Sequence, residues 1–462
     1  MIPINHQGHK STVSERWVAR DLAVLWHPCT QMQDHESWPP VVIKRAKGVW
    51  LEDFEGKRYL DAISSWWVNL FGHADPRIDA ALTDQIGTLE QVMLAGFTHT
   101  PAIELAERLA RLAPAGLTRC FFADNGSCAV EIALKMSFHY WQNLGHGRKR
   151  RFIHLENSYH GETLGALAVC GAPLYRKIYQ PLLLDAIPAP SPDCFFREPG
   201  ESWESYSRRQ FAHMQALLER HAEEVCAVIV EPLVQGAGFM RMYHPVYLAL
   251  LRAACDRYQV HLIADEVAVG FGRTGTLFAC EQAGITPDLM CLSKGLSGGY
   301  LPLAAVLATE PIYQAFYDDY VTLSAFLHSH SYSGNPLACR AALATLDIFE
   351  QEPVLERNAE LAAVMRESTA RFVEHPHVAE VRQQGMILAI ELVQDKAARE
   401  HFPWQQRRGR RVFRQAMDRG ALLRPMGDVV YFMPPYVITP DEIRWLSEIA
   451  WGAIDQATRD QS

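Results

Sequence analysis

The sequence predicts an α/β protein, with a large doubly wound domain on a mostly parallel sheet and a smaller α+β domain after it. Short apolar runs alternate with helical stretches from about residue 119 to residue 308, as in parallel strands joined by helices. Two of these runs, 262–264 and 289–292, are followed within two residues by a charged side chain. Such short apolar runs are typical of buried parallel strands. Beyond a further long helix, a second mixture of strands and helices indicates the smaller domain.

The predicted domain boundaries follow these changes of pattern. Residues 1–70 are predicted to form an N-terminal arm and a small meander that contributes to the small domain. The meander is predicted because residues 41–62 contain short apolar runs separated by two glycine-containing turns, as antiparallel hairpins do. Residues 71–330 are predicted to form the large domain, and residues 331–462 the C-terminal small α+β domain.

The first part of the large domain contains a turn suited to binding an anion. A helix is predicted over 101–112 and a strand over 119–124, which turns through Asn125-Gly126-Ser127 into a helix that ends near residue 141. Free N–H groups and the helix dipole face an anion at such a turn. Alone, this pattern is weak, because the same residues also serve as an ordinary helix cap.

The middle of the large domain is predicted from the same alternation. A strand over 152–155 leads to Tyr159, which either stacks on an aromatic ligand or is simply half-buried. Residues 173–203 contain four prolines and are predicted to be a long irregular connection. Loops of that length often cover a functional site. A helix near 205–221, a strand over 227–232 and a helix over 244–258 then lead back to the apolar runs described first.

Asp265 and Lys294 follow two neighbouring predicted strands. In open α/β sheets, ligands bind outside the carboxyl ends of the strands, where both residues fall. A lysine and a carboxylate there suit pyridoxal phosphate, which needs a lysine for covalent attachment and an acid beside its pyridinium nitrogen. The alternative is an ordinary structural ion pair, which is more frequent for an isolated aspartate and lysine.

The smaller domain is predicted from a helix that ends near residue 350 and an amphipathic helix over 355–372. Strands are predicted over 378–381, 387–393, 422–425 and 429–433, and further helices over 406–419 and 439–458.

Composition excludes several classes of function. The formal net charge is −9, which gives no support for binding nucleic acid or a membrane surface. The chain has no apolar run of about 18 residues, so we predict no membrane span, and the polar N-terminus lacks the apolar segment of a signal peptide. Ten scattered cysteines without a C-x-x-C pair predict reduced thiols and a cytoplasmic location. His328 and His330 alternate with no cysteine or acid nearby, so we predict no metal site.

Taken together, these motifs resemble those of class III (ω-type) aminotransferases of fold type I. The resemblance covers nearly the whole chain and rests on residues 263–267, the glycine loop at 270–275 and Lys294 after the next strand. Within this class, the chain is most similar to the 7,8-diaminopelargonate synthases of biotin biosynthesis. That similarity rests on Trp26-His27-Pro28, residues 64–67, residues 229–238, and Arg424-Pro425 ahead of 433–436.

The resemblance implies pyridoxal 5'-phosphate as cofactor and a homodimer with active sites at the interface. Lys294 would attach the cofactor, Asp265 would bind its ring nitrogen and Tyr159 would stack on the ring; these three are the predicted catalytic residues. The full predicted cofactor-binding set is Gly126, Ser127, Tyr159, Asp265, Val267, Lys294 and Ser331, the last reaching in from the partner subunit.

The resemblance also implies the substrates. The predicted reaction is conversion of 8-amino-7-oxononanoate to 7,8-diaminononanoate, with S-adenosylmethionine as amino donor. Trp66 and Trp67 would line an apolar channel, with Gly334 among the substrate-binding residues, and Arg424 would bind the carboxylate of the keto acid. An apolar channel ending in an arginine suits a carboxylate several methylenes from the reacting ketone. On a strand, the two tryptophans would face opposite ways, so at most one would need to be core.

Three departures from the family pattern leave the donor open. Cys29 replaces a tyrosine common after Trp-His-Pro, and Glu162 replaces an aspartate common after Tyr-His-Gly. Residues 330–332 are His-Ser-Tyr in this chain, where the family's phosphate-binding motif is Pro-Thr-Phe. Some relatives with the His-Ser-Tyr version use lysine as donor. A lysine-using 7,8-diaminopelargonate synthase therefore remains an alternative. So does an ω-amino acid or diamine:pyruvate transaminase, which would share every cofactor residue and differ only in the channel.

Overall fold

The computed structural model describes residues 12–459. The parts of the predicted arm and small domain before residue 12 and after residue 459 lie outside the described residues. The helices are α1 (Val13–Val24), α2 (Ser64–Trp67), α3 (Pro76–Ile86), α4 (Thr100–Leu112), α5 (Gly126–Asn143), α6 (Leu164–Ala168), α7 (Pro173–Arg176), α8 (Trp203–His221), α9 (Val246–Tyr258), α10 (Glu310–Gln314), α11 (Pro336–Gln351), α12 (Val354–Thr369), α13 (Arg408–Asp418) and α14 (Pro440–Arg459). The strands are β1 (Ile43–Lys47), β2 (Trp50–Asp53), β3 (Arg58–Asp61), β4 (Leu117–Ala123), β5 (Arg151–Leu155), β6 (Ile187–Ala189), β7 (Val225–Val230), β8 (Val234–Gln235), β9 (Arg241–Met242), β10 (His261–Asp265), β11 (Leu289–Leu292), β12 (Ala304–Thr309), β13 (Val378–Gln384), β14 (Ile387–Leu392), β15 (Ala421–Leu422) and β16 (Val429–Phe432).

The large sheet has seven strands in the order β4-β12-β11-β10-β7-β5-β6. β12 runs antiparallel to both of its neighbours, and the other pairings are parallel. The mostly parallel sheet predicted from the alternation is therefore confirmed. Strands β7, β10 and β11 are buried along their whole length, which explains why their sequences are short apolar runs rather than alternating patterns.

The prediction of an irregular connection over 173–203 was wrong in one respect. Ile187–Ala189 forms β6, an edge strand that pairs with β5. This strand is three residues long and contains Pro188. Proline is tolerated on an edge strand because it lacks only the N–H that would face outward. A strand of three residues with a central proline is too short to show the apolar run or the alternation from which strands are predicted.

A four-stranded sheet joins the N-terminal meander to a strand from late in the chain. β1, β2 and β3 form the predicted antiparallel meander, and β15 pairs in parallel with β3. The meander therefore shares a sheet with a strand that lies about 360 residues later in the sequence. This pairing supports the predicted contribution of the N-terminal segment to the small domain, whose boundaries stay a prediction.

The remaining C-terminal elements also agree with the pattern. β13, β14 and β16 form a three-stranded antiparallel sheet, and α11 packs against α3 and α4. Within residues 12–459, no helix is both long enough and apolar enough to cross a membrane.

Candidate active site

Five connections of the large sheet meet at the carboxyl ends of its parallel strands. The five strands are β4, β5, β7, β10 and β11. Their carboxyl ends carry, in this order, the glycine turn at 125–127, the loop that contains Tyr159, then Glu231, then Asp265 and finally Lys294. Because these strands run in the same direction, side chains that are far apart in sequence converge at one edge.

Lys294 is held in a left-handed backbone conformation, with φ of 45°. Its Nζ atom lies 4.5 Å from the centre of the Trp67 ring. Burial lowers the pKa of Lys294 to about 8, although the negative charges of Asp265 and Glu231 act in the opposite direction. A lysine with this pKa presents far more neutral amine near physiological pH than an ordinary lysine does, so it is suited to nucleophilic attachment and proton transfer.

Asp265 is buried at the end of β10 and is held from two sides. Its Oδ1 accepts a hydrogen bond from the Val267 N–H at 3.1 Å, and its Oδ2 lies 2.7 Å from the Nδ1 of His160. The Nε2 of His160 has no hydrogen-bond partner within the described residues. The ring is therefore assigned as donating Nδ1–H to Asp265, which orients the carboxylate.

His160 and Glu231 are two further residues of this site that were not predicted from the sequence. Glu231 is buried one residue beyond β7 and accepts hydrogen bonds from the Tyr159 N–H at 2.9 Å and the Gly236 N–H at 2.8 Å. Burial raises the pKa of Glu231 to about 7. A charged residue at the end of a buried strand was the signal used for Asp265, and it was equally present at Glu231. His160 carried no signal beyond its place beside Tyr159.

The turn before α5 presents unpartnered amides to the same region. Asn125 caps the helix by accepting from the Cys128 N–H at 3.0 Å. Within the described residues, the N–H groups of Gly126 and Ser127 have no acceptor. A Cβ atom at position 126 would lie 2.8 Å from Cγ1 of Val267, so only glycine fits. The 18-residue helix adds its dipole, and together these features suit a phosphate group.

The hydroxyl of Ser127 is used within the protein. Its Oγ accepts hydrogen bonds from the Glu162 N–H at 3.1 Å and the Thr163 N–H at 3.0 Å. A Cβ on Gly161 would lie 2.3 Å from that same Oγ. The side chain of Ser127 therefore fixes the loop after Tyr159, while its backbone N–H has no acceptor within the described residues.

Tyr159 is half-buried and belongs to a small polar cluster. Its Oη donates to Oε1 of Glu162 at 2.8 Å, and its ring meets the Tyr175 ring edge-on at 5.1 Å. Burial, with this hydrogen bond, raises the pKa of Tyr159, so the phenol stays neutral. The Sγ of Cys29 lies 3.9 Å from the same Glu162 oxygen. Two of the departures from the family pattern are therefore in contact with each other.

The two tryptophans lie on a strained turn rather than on a strand. All four residues of Ser64–Trp67 have positive φ, from 45° to 74°. The turn is held by the Ser65 hydroxyl, which donates to Asp61 at 2.7 Å, and by the Trp67 indole, which donates to the Tyr431 hydroxyl at 3.1 Å. Non-glycine residues in this conformation cost energy and cluster at functional sites. Trp67 is 4% exposed and Trp66 is 41% exposed.

Arg424 lies two residues after β15 and stacks on the exposed tryptophan. Its guanidinium carbon is 4.5 Å from the centre of the Trp66 ring. Within residues 12–459, no carboxylate forms an ion pair with Arg424. Cys29 and Tyr175 are close enough for the Arg424 charge to lower their pKa values, against the stronger effect of burial. The guanidinium thus retains its capacity to bind a carboxylate beside the two tryptophans.

Ser331 and Gly334 lie in the segment before α11, where Nδ1 of His330 is 3.3 Å from Oδ2 of Asp124. The carbonyl of Ser331 accepts from Gln91 Nε2 at 2.7 Å, and the carbonyl of Gly334 accepts from His99 Nε2 at 2.8 Å. Within the described residues, neither shares a hydrogen bond with the residues around Lys294. The roles predicted for Ser331 and Gly334 therefore stay predictions.

The chemistry of the assembled residues fits pyridoxal phosphate. The turn at 126–127 offers two unpartnered amides for a phosphate, Asp265 offers a buried carboxylate for a ring nitrogen, and Lys294 offers an amine whose charge is destabilised. Among the described residues, no group of three or more histidine, cysteine or acidic side chains is placed to hold a metal ion.

The fold and this site define a class of protein. The family model for aminotransferase class III matches residues 31–454, and the chain belongs to that family. As a member, it is a transaminase.

More particular relatives share most of their length with this chain. It is 45% identical over 427 residues to the adenosylmethionine-8-amino-7-oxononanoate aminotransferase of Geobacter sulfurreducens, covering 92% of this chain and 94% of that one. The Helicobacter pylori protein of the same name is 46% identical over 436 residues, covering 93% and 95%. Among solved structures, the Methanocaldococcus jannaschii protein of that name has a TM-score of 0.91 at 37% identity, covering 96% and 99%. An omega transaminase from Pseudomonas jessenii, in complex with PMP, has the same TM-score at 32% identity, covering 97% and 99%.

The lowered pKa of Lys294 predicts the pH dependence of cofactor loading. Only the neutral amine attacks an aldehyde, so the rate at which pyridoxal phosphate attaches to the apoprotein should rise with pH and level off above about 8. The rate can be followed by absorbance after mixing at a series of pH values. An ordinary lysine would give a midpoint near the usual value of about 10.4, and such a midpoint would contradict the assigned environment.

Proposed function

We propose that this protein transfers an amino group from S-adenosylmethionine to 8-amino-7-oxononanoate, forming 7,8-diaminononanoate in biotin biosynthesis. The relatives named for that reaction align with more than 90% of the chain at 45–46% identity. The observation that carries the proposal is Arg424, stacked on Trp66 and without an ion pair in residues 12–459. A guanidinium beside an apolar wall matches a substrate with a terminal carboxylate on a hydrocarbon chain.

The proposal includes pyridoxal 5'-phosphate as cofactor. Lys294 would attach it, the amides at 126–127 would bind its phosphate, Asp265 would hold its ring nitrogen protonated, and Tyr159 would cover the ring on one side with Val267 on the other. When bound, the cofactor would supply an electron sink that makes a proton on the carbon bearing the amine acidic.

The protein's own residues would then carry the remaining steps. The neutral amine of Lys294 would take the proton from the substrate carbon that bears the amine, and the resulting ammonium would hold that proton and deliver it elsewhere within the site. His160 would keep the Asp265 carboxylate oriented, because its Nδ1 lies 2.7 Å from Oδ2. Arg424 would fix the far end of the keto acid, so the reacting ketone would be held at the lysine.

Direct measurement of the half-reaction tests the donor. The purified holoenzyme is mixed with one candidate amine at a time, and its absorbance spectrum is followed. We expect S-adenosylmethionine to change the spectrum by transferring its amino group to the bound cofactor. If lysine changes the spectrum instead, the keto acid remains the proposed acceptor and lysine replaces S-adenosylmethionine as the donor. Conversion only by simple ω-amino acids or diamines would overturn the assignment in favour of a general ω-transaminase.

Arg424→Met should separate the two half-reactions. We expect kcat/KM for 8-amino-7-oxononanoate to fall about 100-fold or more, because truncating one partner of a buried charge pair costs about 2–5 kcal/mol. The donor half-reaction should change by less than about threefold. Arg444→Met is the matched control, since Arg444 lies on the surface and pairs only with Asp441 at 2.8 Å within the described residues. Equal losses in both half-reactions would remove Arg424 from the carboxylate site.

A homodimer completes the proposed site. Ser331, predicted to reach the partner's phosphate, lies near a segment with large exposed apolar side chains: Tyr320, Val321 and Leu327 are 83–91% exposed. Exposed apolar surface of this extent supports a subunit interface. Ser331→Ala should therefore weaken pyridoxal phosphate binding about tenfold in the dimer, and dilution below the dimer dissociation constant should abolish activity. Full activity of a monomer in sedimentation and dilution assays would refute this arrangement.

A general ω-transaminase is the second candidate function. It is favoured by the equal TM-score of the Pseudomonas jessenii omega transaminase and by Cys29 and Glu162, which change the polar group beside Tyr159.

The cytoplasmic location predicted from the sequence stays a prediction.

A further inference from the structure

The loop over residues 236–240 connects β8 to β9 and reaches from the lysine site to the segment that carries Arg424. The two strands that it joins pair antiparallel, with Val234 opposite Met242. The Met240 N–H donates to the Gly236 carbonyl at 3.0 Å, which closes the loop on itself. We call this feature the 236–240 loop.

The first half of the 236–240 loop packs against the lysine site. A Cβ atom at Gly236 would lie 3.2 Å from the Trp67 ring, and a Cβ at Gly238 would overlap the carbonyl oxygen of Asn157. Trp67 in turn lies against the amine of Lys294. This half of the loop is therefore fixed relative to the reacting lysine.

The second half of the loop is strained and is held by a buried arginine. Phe239 and Met240 have φ of 71° and 51°, a conformation that costs energy for residues with a side chain. Arg382 on β13, which is 2% exposed, donates to the carbonyls of both residues at 2.7 Å. Its remaining nitrogen donates to the buried Glu391 at 2.6 Å. Because a guanidinium is a planar, rigid fork, these bonds hold the two strained residues in one place.

The ring of Phe239 packs on the segment 424–427. A Cβ atom at Gly427 would lie 2.9 Å from Cε1 of Phe239, so the ring leaves no room for a methyl group there. Gly409 of α13 packs on the same segment, since a Cβ on it would overlap the Gly427 carbonyl oxygen and would lie 3.0 Å from Cβ of Pro425. The backbone that carries Arg424 is therefore in tight contact with both Phe239 and α13.

Arg424 depends on this backbone for its position. Within residues 12–459, no carboxylate forms an ion pair with Arg424, and its guanidinium rests on Trp66, a ring that is 41% exposed. A guanidinium without a charge partner is placed mainly by the packing of its own segment. A change at Phe239 would therefore move the guanidinium more readily than it would move the buried residues around Lys294.

We propose that Phe239 is a positioning residue for recognition of the keto acid. Held by Arg382, its ring fixes Gly427 and so sets the place of Arg424 relative to Lys294. The inference rests on the proposed function, because it assumes that Arg424 binds the carboxylate of the acceptor. A misplacement of about 1 Å caused by a residue far from the reacting atoms costs about 100-fold in rate, so a small shift of this segment has a measurable effect.

The experiment measures the two half-reactions separately in full-length holoenzyme with Phe239→Ala. We expect the KM for 8-amino-7-oxononanoate to rise about 10- to 100-fold, because the carboxylate site is displaced. The limiting rate with this acceptor and the whole donor half-reaction should stay nearly unchanged. Phe239→Leu keeps most of the apolar contact and should restore most of the affinity. Equal losses in both half-reactions would show that the ring only supports the fold, which would overturn the proposal.

Gly427→Ala disturbs the same contact from the other side. Its added methyl group meets Cε1 of Phe239, so it should produce the same selective rise in KM. The clash is absent when Phe239 is alanine, so the effects of Gly427→Ala and Phe239→Ala should not add. Gly284→Ala is the matched control, since Gly284 has a similar φ of 63° and its Cβ would meet no described atom within 4 Å. It should leave both half-reactions unchanged, and additive effects of the first two substitutions would contradict the proposed contact.

Two further measurements separate this inference from the proposed function. Phe239→Ala should cause no further loss in the Arg424→Met variant, because its effect passes through the guanidinium; a further loss would show that Phe239 acts elsewhere. A crystal structure of Phe239→Ala tests the positioning without any substrate. The guanidinium carbon of Arg424 should leave its place 4.5 Å from the Trp66 ring centre, and unchanged stacking would overturn the inference. Displaced stacking in a protein that does not use 8-amino-7-oxononanoate would support the positioning and overturn only the proposed acceptor.

Discussion

Lys294→Ala should lower transamination by about 10⁴-fold or more while leaving the fold intact. The lysine is expected to do two jobs, covalent attachment and proton transfer, and general acid–base catalysis alone contributes about 10²–10⁴-fold. Its amine is prepared for both, because burial lowers its pKa to about 8. The measurement is the steady-state rate, together with the visible absorbance of bound pyridoxal phosphate, which should shift when the covalent link is absent.

Removing Lys294 should not unfold the protein. A buried, desolvated ammonium is costly to hold, and the alanine variant no longer has to accommodate it. Lys396→Ala, at an exposed position, is the matched control and should retain full activity. If Lys294→Ala kept more than about 1% of the rate, the lysine would not be the group that moves the proton.

Asp265→Asn should lower the rate by about 10²–10⁴-fold, the range expected for loss of an ionised group that supports proton transfer and charge at the reacting centre. The carboxylate is buried, and its geometry is fixed by His160 and Val267. An amide of the same shape preserves packing but removes the negative charge that would keep a ring nitrogen protonated. The variant should still bind pyridoxal phosphate, with an altered absorbance spectrum and a greatly reduced rate in both half-reactions.

Glu266→Gln provides the control for this prediction. Glu266 is the next residue and is also buried, but its oxygens accept from the Ala279 and Cys280 N–H groups at 2.9 Å and 2.8 Å. Burial raises the pKa of Glu266 to about 7, so it is partly protonated near neutral pH. Its substitution should affect stability more than rate. A loss of rate as large as that of Asp265→Asn would show that burial, rather than contact with the cofactor ring, sets the effect.

The sequence predicted those features of the fold that depend on local pattern. Buried parallel strands are apolar throughout, so β7, β10 and β11 were visible as short apolar runs, and the residues at their ends were expected to meet because parallel strands share an edge. Asp265 and Lys294 were found in this way. The same rule applied to Glu231 would have found it too, whereas β6, three residues long with a central proline, carried no pattern to detect.

The tertiary structure decided what depends on contacts between distant segments. The sequence could not reveal that Ser64–Trp67 is a left-handed turn, because its conformation is held by Asp61 on one side and Tyr431 on the other. Nor could it show that Cys29 and Glu162 lie together, or that Arg424 stacks on Trp66 across more than 350 residues. Local periodicity reports which face of an element is buried, but only the packing of several elements determines which side chains meet. The lysine and its carboxylate could therefore be predicted from the sequence, whereas the contact between Arg424 and Trp66 was decided by the fold.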